Sequence, residues 1–379
     1  MSRRKIVMIG PVYPYKGGIS HYTSLMYQSL SQEHDVYMLS YKLQYPRFLF
    51  KKEQKDYAND SFKIENTDFY INTANPINWI YTAKRIRALC PDLVIFQWWH
   101  PYFSPCYWTI CRLLGKIKIL FMCHNVFPHE RFPMDRFLTK MTLSHGDFFI
   151  VQSVQDENDL ISIKKDAVYR KTVHPTYNIF KLYGLSKAEG RALLKLPDKE
   201  KVLLFFGFIR EYKGLKYLIR ALPKVMNSLE NIKLLIVGEF NGDKEIYMDL
   251  ISKCQVENHV EVYDQYIPDI EVEKYFAASD LVVLPYESST QSGIVQIAYG
   301  FEKPVIATDV GGLPEVVIHE KTGYIVKPMD SEQLADKIIC FYRENKEKDF
   351  QKEIRRESYK YSWDRMRETV DDLMNIKDF

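Results

Sequence analysis

The sequence predicts an α/β protein of two doubly wound, parallel-sheet domains, and three observations carry that prediction. The chain has 379 residues, two domains' worth at roughly 100–200 residues each. Short apolar runs alternate with helix-patterned stretches along its length, which is how parallel sheets covered on both faces read in sequence. The charge is also divided. Residues 1–183 hold 24 Lys/Arg against 15 Asp/Glu, a balance of +9, whereas the remainder holds 28 against 34, a balance of −6.

The elements follow in order. Strand-like runs at 5–9, 35–39, 93–97, 117–123 and 148–151 make a first set. A second set falls at 202–206, 233–237, 260–262, 281–284, 305–307 and 323–326. Helical patterns at 19–31, 79–89, 215–229, 244–253, 270–277 and 331–343 lie between them. The join is expected in the polar, Gly/Pro-marked stretch YGLSKAEGRALLKLPDKEK. This gives domains 1–183 and 184–360, with 361–379 a C-terminal helix bridging back to the first. Ligands of such domains bind at the carboxyl ends of the strands.

Composition narrows the function classes. An apolar fraction of 46% excludes a disordered chain, and a net charge of +3 argues against a general nucleic-acid binder. The six cysteines (Cys90, Cys106, Cys111, Cys123, Cys254 and Cys340) form no CxxC pair and read as reduced thiols. MSRRKIVMIGPVYP imitates an export signal, but Pro11, Pro14 and Lys16 interrupt it, so a first buried strand is expected. No stretch reaches the about 18 apolar residues of a membrane span. A cytoplasmic protein is expected, with the inner face of the plasma membrane as a second address.

Four segments carry residues suited to chemistry. In GPVYPYKGGIS, Gly17-Gly18 precedes a helix, so backbone amides there suit either a phosphate or a plain tight turn. GxGxxG is absent, which disfavours a dehydrogenase. In FMCHNVFPHE, His124 ends a strand, where an imidazole serves a sugar hydroxyl or sits as an ordinary surface residue; His129 and Glu130 are weaker candidates. In LLFFGFIREYKGLKYLI, Arg210 and Lys213 put two cations beside a helix start, as a diphosphate requires. In DLVVLPYESSTQSGIVQIAYGFEKPVIATDVGGLPEVV, the small-residue loop 288–293 aims amides at an anion, and Gly311-Gly312 forms a second close-approach turn.

Taken together, GGI, the strand-ending His124, GF…KGL and KPVIATDVGGLPEVV make the chain similar to glycosyltransferase family 4, the group 1 glycosyltransferases of the GT-B fold. The likeness covers nearly the whole chain and is strongest over 202–326. It implies two Rossmann-like domains facing each other across a cleft, and an enzyme that moves a sugar from a nucleoside-diphosphate donor with retention, needing no cofactor and no metal. It also implies that Gly17 and Gly18 line the diphosphate and that His124 meets the transferred sugar. Lys213 and Arg210 hold the phosphates; Gln291, Ser292, Gly293 and Ile294 supply or flank the amides. Gly238, Glu239, Tyr266 and Ile267 fall where the base rests.

Two departures from the family pattern stand out. Phe208 follows Gly207 where the family has its arginine, and Arg210 comes two residues later. The family's two glutamates fall on Thr290 and Ile297, neither acidic. Glu287, three residues early, stays a donor-side candidate, and Gln296 is the expected replacement at the ribose. The acceptor is expected to be a glycan or a polyprenyl-linked saccharide in surface polysaccharide or glycoconjugate synthesis. YKLQYPRFLFKKEQK mixes Lys42, Arg47, Lys51 and Lys52 with Tyr41, Tyr45, Phe48 and Phe50, and QWWHPYFSPCYW adds Trp98, Trp99 and Trp108. Both fit peripheral contact with an anionic membrane. A weakly active nucleotide-sugar-binding protein and a GT-B epimerase are the competing readings.

Overall fold

A computed structural model describes residues 3–50, 53–57, 60, 62–128, 131–177, 180–289 and 291–376. In chain order it runs β1 (Lys5–Ile9), α1 (Gly18–Glu33), β2 (Asp35–Leu43), β3 (Asp68–Asn72), α2 (Pro76–Ala88), β4 (Leu93–Trp98), α3 (Ser104–Leu114), β5 (Lys118–Cys123), α4 (Asp135–Leu143), β6 (Phe148–Val151), α5 (Val154–Ile163) and β7 (Val168–Lys171). Next come α6 (Lys187–Leu193), β8 (Lys201–Phe206), α7 (Leu215–Ser228), β9 (Ile232–Val237), α8 (Lys244–Lys253), β10 (Val260–Tyr263), α9 (Asp269–Ala278) and β11 (Leu281–Leu284). The chain finishes with α10 (Gly293–Gly300), β12 (Val305–Thr308), α11 (Leu313–Val316), β13 (Gly323–Val326), α12 (Ser331–Arg343), α13 (Glu347–Arg356) and α14 (Trp363–Met374). Contacts divide it into two units, Met1–Thr172 with Ser362–Phe379, and Val173–Tyr361.

The first unit holds a seven-stranded sheet among the described residues, ordered β3-β2-β1-β4-β5-β6-β7, with every pair parallel. Successive side chains of a strand alternate between faces, and each face has its own core. Val7, Ile9, Val94, Phe96 and Phe121 lie in one; Ile6, Met8, Ile95, Leu120 and Ile150 lie in the other. Met366, Val370 and Leu373 of α14 close that second core, their spacing putting them on one helical face. Ser362 caps α14 by accepting from the Arg365 amide. At its far end Arg4 donates to the Met374 carbonyl at 2.8 Å.

The second unit carries a six-stranded sheet among the described residues, ordered β10-β9-β8-β11-β12-β13 and again all parallel. Its order reverses between β8 and β11, as that of the first unit does between β1 and β4. Crevices form at such switch points, outside the carboxyl ends of the strands.

The sequence reading placed the join at 183/184, whereas the units part at Thr172/Val173. Hydrogen bonding explains the shift. The Thr176 amide donates to the Tyr361 carbonyl at 2.9 Å. The fully buried Glu273 accepts from the Tyr183 and Leu185 amides at 2.6 and 2.7 Å. Two strands absent from the sequence reading, β3 and β7, edge the first sheet. As edge strands they are largely exposed or half-buried: β7, VYRK, is mostly polar, and β3, DFYIN, is too short a run to stand out and buries Ile71.

Candidate functional site

In the second unit the loops after β8 and β11 build one corner. β8 ends at Phe206, and a single 3-10 turn, Glu211–Lys213, leads to Gly214 and α7. Gly214 adopts φ 65°, and a Cβ there would overlap the Pro285 carbonyl oxygen, so glycine lets the β8 loop seat on the chain leaving β11. Across the same corner a Cβ on Gly207 would lie 3.2 Å from Lys213 Nζ and 3.3 Å from Ile294 Cδ1. The Lys213 ammonium and the first turn of α10 thus converge on Gly207.

The electrostatics of this corner suit an anion. Burial pushes the Lys213 ammonium down to about 8, and the nearby Arg210 charge acts in the same sense. Among the described residues neither Lys213 nor Arg210 has a carboxylate partner. Lys213 Nζ lies 5.7 Å from the centre of the Tyr286 ring. α10 opens at Ser292 with no side-chain cap and no acidic residue in its first turn, leaving its positive end to a ligand. Gly238 packs onto the Gly207 carbonyl so closely that any Cβ would overlap it. Ile209 donates to the Glu239 carbonyl at 2.9 Å. Tyr266, half-buried, and Ile267, buried, follow β10 on the same edge of the sheet.

The remaining donor-side candidates divide. Glu287 spends its carboxylate on Lys216 at 2.8 Å, and its amide donates to the Tyr212 carbonyl. Gln291 flanks the loop, its carbonyl accepting from Ser289 Oγ at 2.8 Å. Thr290 lies outside the described residues, as do His129, Glu130, Lys51 and Lys52. Gln296, the expected replacement at the ribose, lies in α10. It is fully buried, and neither atom of its side-chain amide has a partner among the described residues.

In the first unit Gly17 precedes α1 with φ 107°, a conformation open to glycine, and α1 begins at Gly18 with no side-chain cap. His124 follows β5, as its position in the sequence implies. Its amide donates to the Trp98 carbonyl at 2.8 Å, its ring meets Tyr22 edge-on at 4.6 Å, and its Nε2 pairs with Gln97 Oε1 at 2.8 Å. Gln97 is fully buried, and Gly10 leaves room for it, since a Cβ there would stand 2.5 Å from Gln97 Cγ. Sequence reasoning missed this pair. The available signal was a lone amide inside the apolar run LVIFQW.

The aromatic stretches expected at a membrane are only partly on the surface. Trp98 and Tyr41 are core residues, and Trp99 and Trp108 are half-buried. Phe48 and Phe50 are exposed, as are Lys42 and Arg47. No helix among the described residues is long and apolar enough to cross a membrane.

The chain is similar to known glycosyltransferases. Residues 186–360 match the family model of glycosyl transferases group 1. An uncharacterized glycosyltransferase of Methanocaldococcus jannaschii is 32% identical over 192 residues, 48% of this chain and 47% of that protein. The D-inositol 3-phosphate glycosyltransferase of Segniliparus rotundus is 33% identical over 143 residues, 37% of this chain and 32% of its own. The matches therefore span about half or less of those curated relatives. Among solved structures, sucrose-phosphate synthase from Thermosynechococcus elongatus superposes with a TM-score of 0.74 at 20% identity, covering 98% of both chains. Anabaena HepE in complex with UDP gives 0.75 at 15% identity, covering 97% of this chain and 98% of its own. These likenesses show the fold, two parallel-sheet α/β domains of the GT-B type.

Proposed function

Since residues 186–360 match the family model of the group 1 glycosyl transferases, we propose that this protein moves a sugar from a nucleoside-diphosphate donor to a glycan or polyprenyl-linked acceptor, with retention and without a metal. The observation that carries the reading is the corner at the switch point of the second sheet. There Lys213 and the uncapped start of α10 meet at Gly207, and the Arg210 charge acts on Lys213. HepE structures with UDP and with UDP-glucose support a nucleotide-sugar donor.

The chemistry follows from charge. As the bond between the anomeric carbon and the phosphate oxygen breaks, negative charge grows on the departing diphosphate. Preorganised positive groups at that point stabilise the transition state more than the ground state. The acceptor hydroxyl forms the new bond from the face the diphosphate leaves, and the departing phosphate oxygen takes the hydroxyl proton. His124, fixed through Nε2 by Gln97, is proposed to contact the transferred sugar, and Gly17 and Gly18 to line the donor. The base is proposed to rest on Gly238, Glu239, Tyr266 and Ile267.

A second reading, a nucleotide-sugar-binding protein of little turnover, is favoured by the missing family glutamates, whose places fall on Thr290 and on Ile297 beside the buried Gln296. One experiment separates the two. Thermal shift against UDP-, GDP-, ADP- and dTDP-sugars identifies the donor, because binding to the folded state raises stability by mass action. Nucleotide release with saccharide-lipid acceptors is then measured. Transfer with retained anomeric configuration is expected. Binding without release of nucleotide under any condition would leave the second reading standing.

A further inference from the structure

The first unit holds a cavity of about 610 Å³ away from His124 and Gly17 but on the same edge of the sheet, over the carboxyl ends of β2, β3 and β4. That volume is within the range of small-molecule sites. Its wall is hydrocarbon, with Phe48, Leu49, Pro101, Phe132 and Leu138 among the lining side chains. The polar groups in the wall are already committed to one another. Thr73 Oγ1 bonds the Gln44 carbonyl and Tyr102 Oη, both at 2.8 Å. Trp79 Nε1 donates to the Asn72 carbonyl at 2.9 Å, and His100 Nδ1 accepts from the Tyr102 amide at 3.1 Å. Burial holds the His100 ring below its usual range and so keeps it uncharged near neutral pH.

A sugar would meet almost no open donor or acceptor in such a wall, and its hydroxyls would lose water without compensation. A hydrocarbon chain loses nothing by entering. The rim adds a sign. Arg47 stands between the lining residues Pro46 and Phe48, and segments 41–50, 73–79 and 98–109, which supply most of the wall, hold Lys42 and Arg47 and no carboxylate; Glu53 and Asp56 flank Gln54, which bonds Tyr45. Both cations are exposed without an ion-pair partner among the described residues. Asp135, on the α4 side, is held by Arg131.

We propose that this cavity binds the hydrocarbon chain of a phosphate-headed lipid, the apolar end of a lipid-linked acceptor, with Lys42 and Arg47 attracting the head. The chain-binding statement stands by itself; the acceptor role rests on the glycosyltransferase reading above. The probe is geranylgeranyl monophosphate, kept below micelle formation and titrated calorimetrically, beside geranylgeraniol, inorganic phosphate and anionic phospholipid vesicles. Ala74→Trp fills the cavity from its exposed rim. Phe48→Asp, at a side chain 78% exposed, changes the wall with little risk to folding.

The expected result is saturable binding of geranylgeranyl monophosphate, weakened at least tenfold by Ala74→Trp and by Phe48→Asp. Geranylgeraniol should bind several-fold less tightly, and inorganic phosphate should not compete. Unchanged affinity in both variants overturns the proposal. So does displacement by inorganic phosphate, or retention on vesicles with no binding of the free lipid, which would make the patch a membrane-adsorbing surface. Nucleotide-sugar thermal shifts measured on the same variants should match the wild type. If lipid binds while no nucleotide sugar does, the glycosyltransferase reading fails and the cavity assignment survives.

Discussion

Lys213, proposed above to meet the donor diphosphate, is a cation weakened by burial. Its ammonium, brought down to about 8 by desolvation and then by Arg210, is charged below that pH and neutral above it. Donor affinity is therefore expected to fall as pH rises through about 8. Bound diphosphate stabilises the charged form, so turnover at saturating donor should break at higher pH than turnover per KM. Lys213→Arg, charged throughout, should abolish the break near 8 in kcat/KM; a profile that keeps it would assign the titration elsewhere. Lys213→Ala is expected to lower turnover about 100-fold, as loss of one preorganised transition-state donor does in other enzymes, and activity within a few-fold of wild type would remove it from the chemistry. The loop that carries Lys213 was legible because a KG turn marks the passage from a strand to a helix, which is where it stands between β8 and α7. Gln97 was not, because its importance comes from the space left by Gly10 and the ring of His124, residues far apart in the chain.

The elements were legible where they are buried on both faces. β1, β4, β8 and β11 are continuous apolar runs, and the sequence marks them plainly. β3 and β7 contribute short edges, largely exposed or half-buried, so neighbouring strands rather than their own composition hold them in the sheet. The attachment of α6 to the second sheet depends on a buried carboxylate that no motif announces. Asp280 accepts from Arg191 Nη2 at 2.9 Å, Lys187 Nζ at 2.7 Å and the Val202 amide at 2.7 Å, while Tyr342 Oη donates to it at 3.2 Å. Removing one partner of such a group leaves the buried Arg191 uncompensated. Asp280→Ala should therefore cost about 3–5 kcal/mol in urea unfolding of the second unit, with nucleotide affinity of the folded fraction retained. A cost below about 1 kcal/mol would show the group to be screened by solvent.

Across the whole molecule, the +9 and −6 halves suggested a division of labour, and the fold places the division slightly earlier than the polar stretch did. Composition favoured 183/184 because that stretch looks like a linker. Instead the Thr176 and Tyr177 amides donate to the Tyr361 and Gln296 carbonyls, and those of Tyr183 and Leu185 to the Glu273 carboxylate. Placement of single cations, rather than net charge, distinguishes the two units chemically. The bond from the Thr176 amide to the Tyr361 carbonyl has a wider consequence. It clasps the entry and exit of the second unit together, which makes residues 173–361 a cassette spliced into its host, the arrangement that tolerates excision and permutation. That cassette, expressed alone, should melt in one cooperative transition and still be stabilised by the nucleotide that stabilises the intact chain; a non-cooperative melt would show that it borrows stability from its host. Donor choice would then be a portable trait, exchangeable between host scaffolds that keep their own acceptors.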